Sequence, residues 1–393
     1  MTTRNNVRFT GVAAIMSIFF IAMGIGTITP ALNSIMEAYP QLPVSTIYLT
    51  STLPSLAVIP SAVIAGMLAG NKVKYKMLSA LGILLFVVGG VAPYFTNDNF
   101  TLILLGRAIF GIGLGIISPL GNALVLGHFE GDKRASMMGM GTLMMNVGGI
   151  IFQFLGGFFA GIKWYYCFLP HAIAIISLVL VLLFLPEPVA AAVPEGAAGQ
   201  EKPKLPLGVW IASVLFGAGM FITYPMLMGM STYLSILNLG DAATAAIVLS
   251  FFTVGGMIAG VIFGTLFKVT GRFLIGVALA IIAIGYAILL FVPNVIAVTF
   301  GAALVGVGFS IIMPATMMIV GMMCSPEQVA FASSIILAVM NLFAFLSTYW
   351  IGIIANITGD AIIAPMKVGM AIAVIGAIVF FIVNPFPKTD NPS

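Results

Sequence analysis

Twelve long apolar runs dominate this chain of 393 residues. A helix needs about 20 mostly apolar residues to cross the hydrocarbon core of a bilayer, and each run is long enough. The runs are continuously apolar, without the alternation of a lipid-facing strand, so they predict helices rather than a barrel. The predicted spans, numbered in chain order, are 9–36, 46–69, 77–95, 101–126, 135–160, 165–186, 207–236, 242–267, 273–293, 296–322, 328–357 and 366–385.

Charged residues are too scarce to cover a water-soluble surface. They make up 7% of the chain, against roughly 25% in soluble proteins. We therefore expect an all-α membrane protein whose surface is covered mostly by lipid. The first apolar run is longer than the apolar region of a secretory signal, so it is expected to be a retained span. The net charge of +4 gives no reason to expect a nucleic-acid partner.

The basic residues between the spans predict the orientation, because cytoplasmic loops are enriched in Lys and Arg. Only Lys163 and Lys367 fall on one side of the predicted membrane, and Arg107 lies inside a span. Both termini and the central linker are therefore expected on the cytoplasmic side. The basic residues of that side are Arg4, Arg8, Lys72, Lys74, Lys76, Lys133, Arg134, Lys202, Lys204, Lys268, Arg272 and Lys388.

The longest polar interruption runs from Glu187 to Pro206 and separates two groups of six spans. We predict an N-terminal bundle at 1–187, a cytoplasmic linker at 188–206 and a C-terminal bundle at 207–393.

The two groups of spans are copies of one another. A shift of 195 residues lays 106–119 over 301–314 with seven of fourteen positions identical. Shared apolar composition does not explain shared proline and asparagine at the same offset, so we infer a duplicated six-helix unit. The same shift pairs Pro30 with Pro225 and Asn146 with Asn341.

Two sequence motifs resemble those of the major facilitator superfamily. Residues 66–76 read GMLAGNKVKYK and residues 264–272 read GTLFKVTGR. Both resemble the family's loop motif G-x-L-A-D-R-x-G-R-K, although its acidic position is Gly70 in one copy and Lys268 in the other. The fourth span matches the family's R-x-x-x-G-x-G-x-G motif in full, at Arg107, Gly111, Gly113 and Gly115.

The fifth span resembles the antiporter motif G-x-x-x-G-P-x-x-G-G only in part. Gly148, Gly156 and Gly157 match, while Phe152 and Gln153 replace the central Gly-Pro. In the family this motif is typical of proton-coupled exporters, so its erosion weakens an exporter assignment without excluding it.

The resemblance implies a secondary transporter of two six-helix repeats related by a pseudo-twofold axis, working by alternating access. It further implies a small-molecule solute and a multi-pass location in the cytoplasmic membrane of a bacterium. We expect a monomer without cofactor, metal or catalytic residues. In the family the loop motif closes the cytoplasmic gate. The residues expected to serve it here are Gly66, Lys72, Lys74, Gly264, Gly271 and Arg272.

Arg107 is the only charged residue well inside a predicted span. An arginine at membrane depth costs about 2.5 kcal/mol or more, so it should have a partner. One interpretation is an anchor for an anionic or polar solute, or a regulator of a nearby proton site. The other is a donor to backbone carbonyls of neighbouring helices, or an outward-reaching partner of Asp98 or Glu37.

Proton coupling has one candidate residue. No Asp or Glu lies deep in a span, whereas His171 lies a few residues into the sixth. Imidazole titrates near pH 6.5, which suits proton exchange. An interfacial histidine bonded to polar neighbours is the alternative.

By family analogy, spans 1, 4, 7 and 10 line the central cavity. Their polar side chains either touch solute or join helices to one another. Asn146 and Asn341, related by the repeat, share that ambiguity. The candidate cavity residues are Arg107, Asn33, Thr29, Asn122, Tyr224, Ser310, Asn146 and Asn341.

Three functions remain open. The chain has 24 Met and 30 Phe, and methionine can repack around varied ligands; this favours export of amphipathic compounds. Uptake or exchange of a small organic anion held by Arg107 is the alternative. A non-transporting sensor or intramembrane enzyme is a remote third, because the sequence has no catalytic motif.

Overall fold

The computed structural model describes residues 7–188 and 205–383, without the side chains of residues 326, 327 and 330. Eleven helical segments in these ranges are long and apolar enough to cross a membrane. One of them, Ala242–Phe291, holds two helices that a short 3₁₀ turn separates. The described residues thus contain twelve membrane-length helices, in agreement with the predicted fold class.

Each helix matches a predicted span to within about one helical turn. We number them in chain order. They are α1 Phe9–Ala38, α2 Val44–Leu68, α3 Tyr75–Phe95, α4 Phe100–His128, α5 Gly131–Ala160, α6 Trp164–Phe184, α7 Leu207–Ile236, α8 Ala242–Thr270, α9 Leu274–Phe291, α10 Val295–Met323, α11 Pro326–Thr358 and α12 Ile363–Ile382.

The described residues form two compact units. The first contains residues 7–42 and 46–188, and the second contains 43–45 and 205–383. Helices α1 to α6 therefore belong to the first unit, apart from the first two residues of α2, and α7 to α12 belong to the second. The predicted linker, 188–206, lies almost entirely outside the described residues, and the predicted domain division stays a prediction.

Glycines on two faces of α4 bring it into close contact with α2 and α3. A Cβ added to Gly113 would lie 2.4 Å from the backbone nitrogen of Phe86 on α3. A Cβ added to Gly115, on another face, would lie 2.0 Å from the Ser61 hydroxyl on α2. The glycines of the R-x-x-x-G-x-G-x-G motif thus serve helix packing inside the first unit.

The second unit repeats this packing. A Cβ added to Gly306 of α10 would lie 2.0 Å from the carbonyl oxygen of Phe252 on α8. One added to Gly308 would lie 2.5 Å from the carbonyl oxygen of Ala278 on α9. Helix α10 therefore packs between α8 and α9 as α4 packs between α2 and α3, as the sequence repeat predicts.

Two helices of the first unit include long 3₁₀ stretches, which are uncommon because their hydrogen-bond geometry is poor. They are Gly24–Ala31 within α1 and Trp164–Ile173 within α6. Helix α5 approaches the first stretch closely, since a Cβ on Gly156 would lie 1.7 Å from the carbonyl oxygen of Thr27. The matched glycines of the eroded antiporter motif therefore make room for an irregular α1.

Candidate functional site

Arg107 lies in the interior of the first unit, where its side chain is 0% exposed. Its Nε donates a hydrogen bond to the carbonyl oxygen of Thr50 on α2, at 2.7 Å. Its Nη1 lies 3.5 Å from Nε2 of His171, and the guanidinium carbon lies 4.2 Å from the centroid of the Phe110 ring. Nη2 has no hydrogen-bond partner among the described residues. The charge is thus held by a carbonyl, an imidazole and an aromatic face.

The Thr50 carbonyl is available because of Pro54. Proline has no backbone N–H and removes the hydrogen bond to the carbonyl four residues earlier. Pro54 lies inside α2, so the carbonyl that loses its partner is that of Thr50. An unpaired carbonyl in lipid or protein interior costs several kcal/mol. Arg107 supplies the missing donor.

Gly111, one helical turn after Arg107, allows the two helices to come this close. A Cβ on Gly111 would lie 2.6 Å from both the Cα and the carbonyl oxygen of Pro54. Real Cβ atoms do not approach other atoms so closely, so a larger residue would push α4 away from α2. Arg107 thus bonds the carbonyl that Pro54 leaves unpaired, and Gly111 packs against Pro54 itself.

The second unit provides a comparison, because it lacks both the proline and the arginine. Gly306, the counterpart of Gly111 at the offset of 195, packs against Phe252. Phe252 carries a backbone N–H and lies inside the continuous helix α8. Ala302 stands at the position that corresponds to Arg107. Proline and arginine therefore occur together in one repeat and are replaced together in the other.

His171 contacts Arg107 through one ring nitrogen and the backbone through the other. Nδ1 lies 2.9 Å from the carbonyl oxygen of Phe168, which requires a proton on Nδ1. Nε2 is then free to accept a hydrogen bond from Arg107. The ring packs over Gly90, where a Cβ would lie 2.6 Å from His171 Cβ. Of the predicted site residues, Arg107 and His171 are therefore brought together.

The other cavity candidates of the first unit are dispersed. Asn33 donates to Oε1 of Glu37 at 2.7 Å, Thr29 is buried within the 3₁₀ stretch of α1, and Asn122 is exposed on α4. The guanidinium of Arg107 bonds Thr50 and His171 among the described residues, and none of these three. Their assignment to a solute cavity stays a prediction.

The repeat-related asparagines make the same local contact. Asn146 donates to the carbonyl oxygen of Thr142 at 3.1 Å, and Asn341 donates to that of Leu337 at 2.9 Å. Each amide thus bonds the carbonyl four residues earlier in its own helix, α5 or α11. In the second unit Tyr224 is half-buried, and Ser310 faces Gly256, where a Cβ would lie 2.5 Å from its hydroxyl.

The two loops with the family's gate motif differ in structure. In the first, Gly66, Lys72 and Lys74 are exposed, and Gly70 has a φ of +76°. In the second, Gly264 has no neighbour within 4 Å of an added Cβ, Gly271 has a φ of +50°, and Arg272 lies over the Phe273 ring at 4.6 Å.

Two residues that matter for these contacts were not predicted from the sequence. Pro54 was one of many prolines within apolar runs, and only its absence from the second repeat, together with the loss of Arg107, marks it out. The other is Glu187, at the predicted start of the linker, whose carboxylate accepts hydrogen bonds from the backbone amides of Tyr75 and Lys76. Among the described residues, no group of three His, Cys, Asp or Glu side chains could hold a metal ion. The site therefore offers hydrogen bonding and one positive charge.

Comparison with known proteins identifies the family and shows partial similarity to an efflux pump and to a drug-resistance protein. The family model described as Major Facilitator Superfamily matches residues 14–348. The multidrug efflux pump SdrM of Staphylococcus aureus (strain N315) is 29% identical over 182 residues, covering 45% of this chain and 40% of SdrM. The quinolone resistance protein NorA of S. aureus (strain MSSA476) is 23% identical over 254 residues, covering 64% of this chain and 63% of NorA. The chain thus spans less than two thirds of the length of these curated relatives.

A solved structure agrees with the fold. The inward-open xylose transporter XylE from E. coli superposes with a TM-score of 0.73 at 15% identity, covering 98% of this chain and 97% of that chain. At such identity the likeness concerns the fold alone. The family model covers most of the chain, and twelve helices in two repeated sets of six agree with it. The chain belongs to the Major Facilitator Superfamily, whose transporters carry small-molecule solutes, and it is a multi-pass membrane protein.

Proposed function

We propose that this transporter exports amphipathic organic compounds across the cytoplasmic membrane by alternating access. The observation that carries this proposal is the position of Arg107. Its charged side chain is 0% exposed and bonds a backbone carbonyl, so it is occupied in holding α2 and α4 together. A cavity without a charged anchor suits solutes recognised through apolar surface and shape.

The partial similarity to SdrM and NorA also supports export. Both are named for drug efflux or drug resistance, and both similarities are low enough that the solute remains a proposal. In α7, which family analogy places beside the cavity, Met226, Met228 and Met230 are buried. Methionine side chains repack readily, which favours tolerance of varied ligands.

The proposal includes the orientation of the protein in the membrane. The excess of Lys and Arg on one side supports cytoplasmic termini and a cytoplasmic 69–74 loop. The bacterial relatives support location in the cytoplasmic membrane.

One observation favours a second candidate, the uptake or exchange of a small organic anion. Nη2 of Arg107 is buried and has no partner among the described residues. A buried donor without a partner could bind a carboxylate if the first unit opened between α2 and α4. His171 as a proton site would be compatible with either candidate.

A thermal-shift screen of the purified protein separates the two. The ligands are amphipathic cations, neutral drugs and small organic carboxylates, each tested at several pH values. The screen uses the wild-type protein and, as a control, Asp132→Asn at an exposed acid of α5. Export of amphipathic compounds predicts that the drugs raise the midpoint of unfolding, because a bound ligand stabilises the folded state. Stabilisation by carboxylates alone would contradict it and support the second candidate.

A further inference from the structure

Glu187 caps a helix that begins far from it in the chain. Its Oε2 accepts a hydrogen bond from the backbone nitrogen of Tyr75, and its Oε1 accepts one from that of Lys76, both at 3.0 Å. Helix α3 begins at Tyr75, and Lys74 before it contributes no side-chain cap. The first amides of a helix have no partner within the helix. The carboxylate after α6 thus satisfies two such amides of α3.

The neighbours of Glu187 hold it in place. A Cβ added to Gly11 of α1 would lie 3.2 Å from Cδ of Pro186. One added to Gly127 of α4 would lie 2.7 Å from Cβ of Pro188. Both glycines therefore give the proline rings room against the ends of α1 and α4. The carboxylate is fixed between two packed prolines rather than placed on a free chain.

Tyr75 connects this cap to the loop between α2 and α3. The loop closes on itself, since Val73 donates to the carbonyl oxygen of Leu68 at 3.0 Å and Gly70 donates to that of Val73 at 2.9 Å. A Cβ on Gly70 would lie 2.7 Å from the Tyr75 ring. The residue whose amide is capped therefore also covers the turn of the loop with its side chain.

The same contact explains why the loop has no acid of its own. Gly70 has a φ of +76°, a conformation that glycine adopts without strain and other residues rarely do. An aspartate at this position would be strained and would meet the Tyr75 ring. Glu187 brings the negative charge from the segment after α6 instead, to a helix start that attracts anions.

We propose that Glu187 is a positioning residue that fixes the start of α3 and, through Tyr75, the 69–74 loop of the gate. This role goes beyond the proposed function, because it concerns the loop and holds whatever the solute is. Loss of the carboxylate should free the first turn of α3 and loosen the loop. The second gate loop has another construction, since a 3₁₀ turn, Gly271–Phe273, leads directly into α9.

Hydrogen exchange followed by mass spectrometry tests the proposal without any transport assay. Glu187→Ala removes both acceptors, and Glu187→Gln keeps one neutral acceptor. We expect exchange at Tyr75 and Lys76 to quicken roughly tenfold in the alanine variant, the factor that loss of a helix cap represents. The glutamine variant should be intermediate. Asp132→Asn, at an exposed acid in the first turn of α5, is the control and should leave these amides unchanged.

A cysteine reporter provides the second measurement. Asn71→Cys is placed in a protein without Cys167 and Cys324, and its reaction with a membrane-impermeant maleimide is timed. We expect faster labelling with Glu187→Gln and unchanged labelling with Asp132→Asn. Unchanged exchange at Tyr75 and Lys76 in a folded Glu187 variant would overturn the proposal. If the alanine variant does not fold, the glutamine variant supplies both readouts.

Discussion

Nε of Arg107 lies 2.7 Å from the carbonyl oxygen of Thr50, the oxygen that loses its helical partner because Pro54 has no N–H. One side chain on α4 thus repairs a break in α2. A hydrogen bond to a charged group contributes about 1.5–3 kcal/mol, and the carbonyl would otherwise be unpaired in the interior. The relationship gives the arginine of the motif a structural role that does not depend on solute.

Replacing Arg107 with methionine keeps most of its length and removes its donors. We expect Arg107→Met to lower the free energy of unfolding by about 2 kcal/mol, because the Thr50 carbonyl is then left without a partner. Thermal unfolding in detergent measures the change. Arg272→Met is the matched control, since Arg272 is exposed, and it should unfold close to the wild-type temperature. Equal loss in both variants would refute the role of the buried contact.

Removing Pro54 should make Arg107 dispensable. Pro54→Ala restores an N–H that can bond Thr50 within α2, as Phe252 can in the second unit. We therefore expect Pro54→Ala with Arg107→Met to be more stable than Arg107→Met alone. The coupling between the two changes in a double-mutant cycle should be about 1 kcal/mol or more, a typical value for residues in direct contact. Additive effects would show that the proline does not create the need for arginine.

The glycines of α5 permit a sharp comparison within one helix. A Cβ on Gly156 would lie 1.7 Å from the carbonyl oxygen of Thr27, whereas one on Gly139 has nothing within 4 Å. We expect Gly156→Ala to destabilise the protein by about 1–3 kcal/mol through forced separation of α1 and α5. Gly139→Ala should be neutral or stabilising by up to about 1 kcal/mol, because alanine favours a helix. Thermal unfolding of both variants measures the difference. Equal changes in stability for Gly156→Ala and Gly139→Ala would contradict the close packing of α1 and α5.

His171 offers a test of proton coupling. If it serves as the acceptor for Arg107, His171→Gln should retain much of the stability and leave the shape of the flux-against-pH profile unchanged. Transport by wild type and variant in proteoliposomes between about pH 5 and 8, the range in which histidine titrates, provides the comparison. A profile that flattens in the variant would instead identify His171 as a proton carrier.

The membrane helices could be predicted from the sequence because lipid restricts which segments can span a bilayer. Spanning helices must be long and apolar, so helix ends such as Leu207 and Ile236 were predicted at their observed positions. The 3₁₀ stretch Gly24–Ala31 was not predicted. Its local geometry depends on packing against α5, which apolar composition does not encode.

The candidate site was predicted less well, for a physical reason. The sequence singled out Arg107 because a charge at membrane depth is rare. Its partner is a backbone carbonyl, and every residue has one, so no pattern of side chains could mark Thr50. The same holds for Glu187, whose acceptors meet backbone amides of Tyr75 and Lys76.

The most direct test is the flux of an amphipathic fluorescent dye and of a small organic carboxylate in proteoliposomes. It compares the wild-type protein, Pro54→Ala, and Pro54→Ala with Arg107→Met. The double variant removes the charge while α2 regains its own hydrogen bond. If the protein exports amphipathic compounds and Arg107 only joins two helices, the wild-type protein moves the dye and the folded double variant keeps that flux. Carboxylate flux in the wild-type protein that vanishes in the double variant but persists in Pro54→Ala would contradict this and make Arg107 the solute anchor.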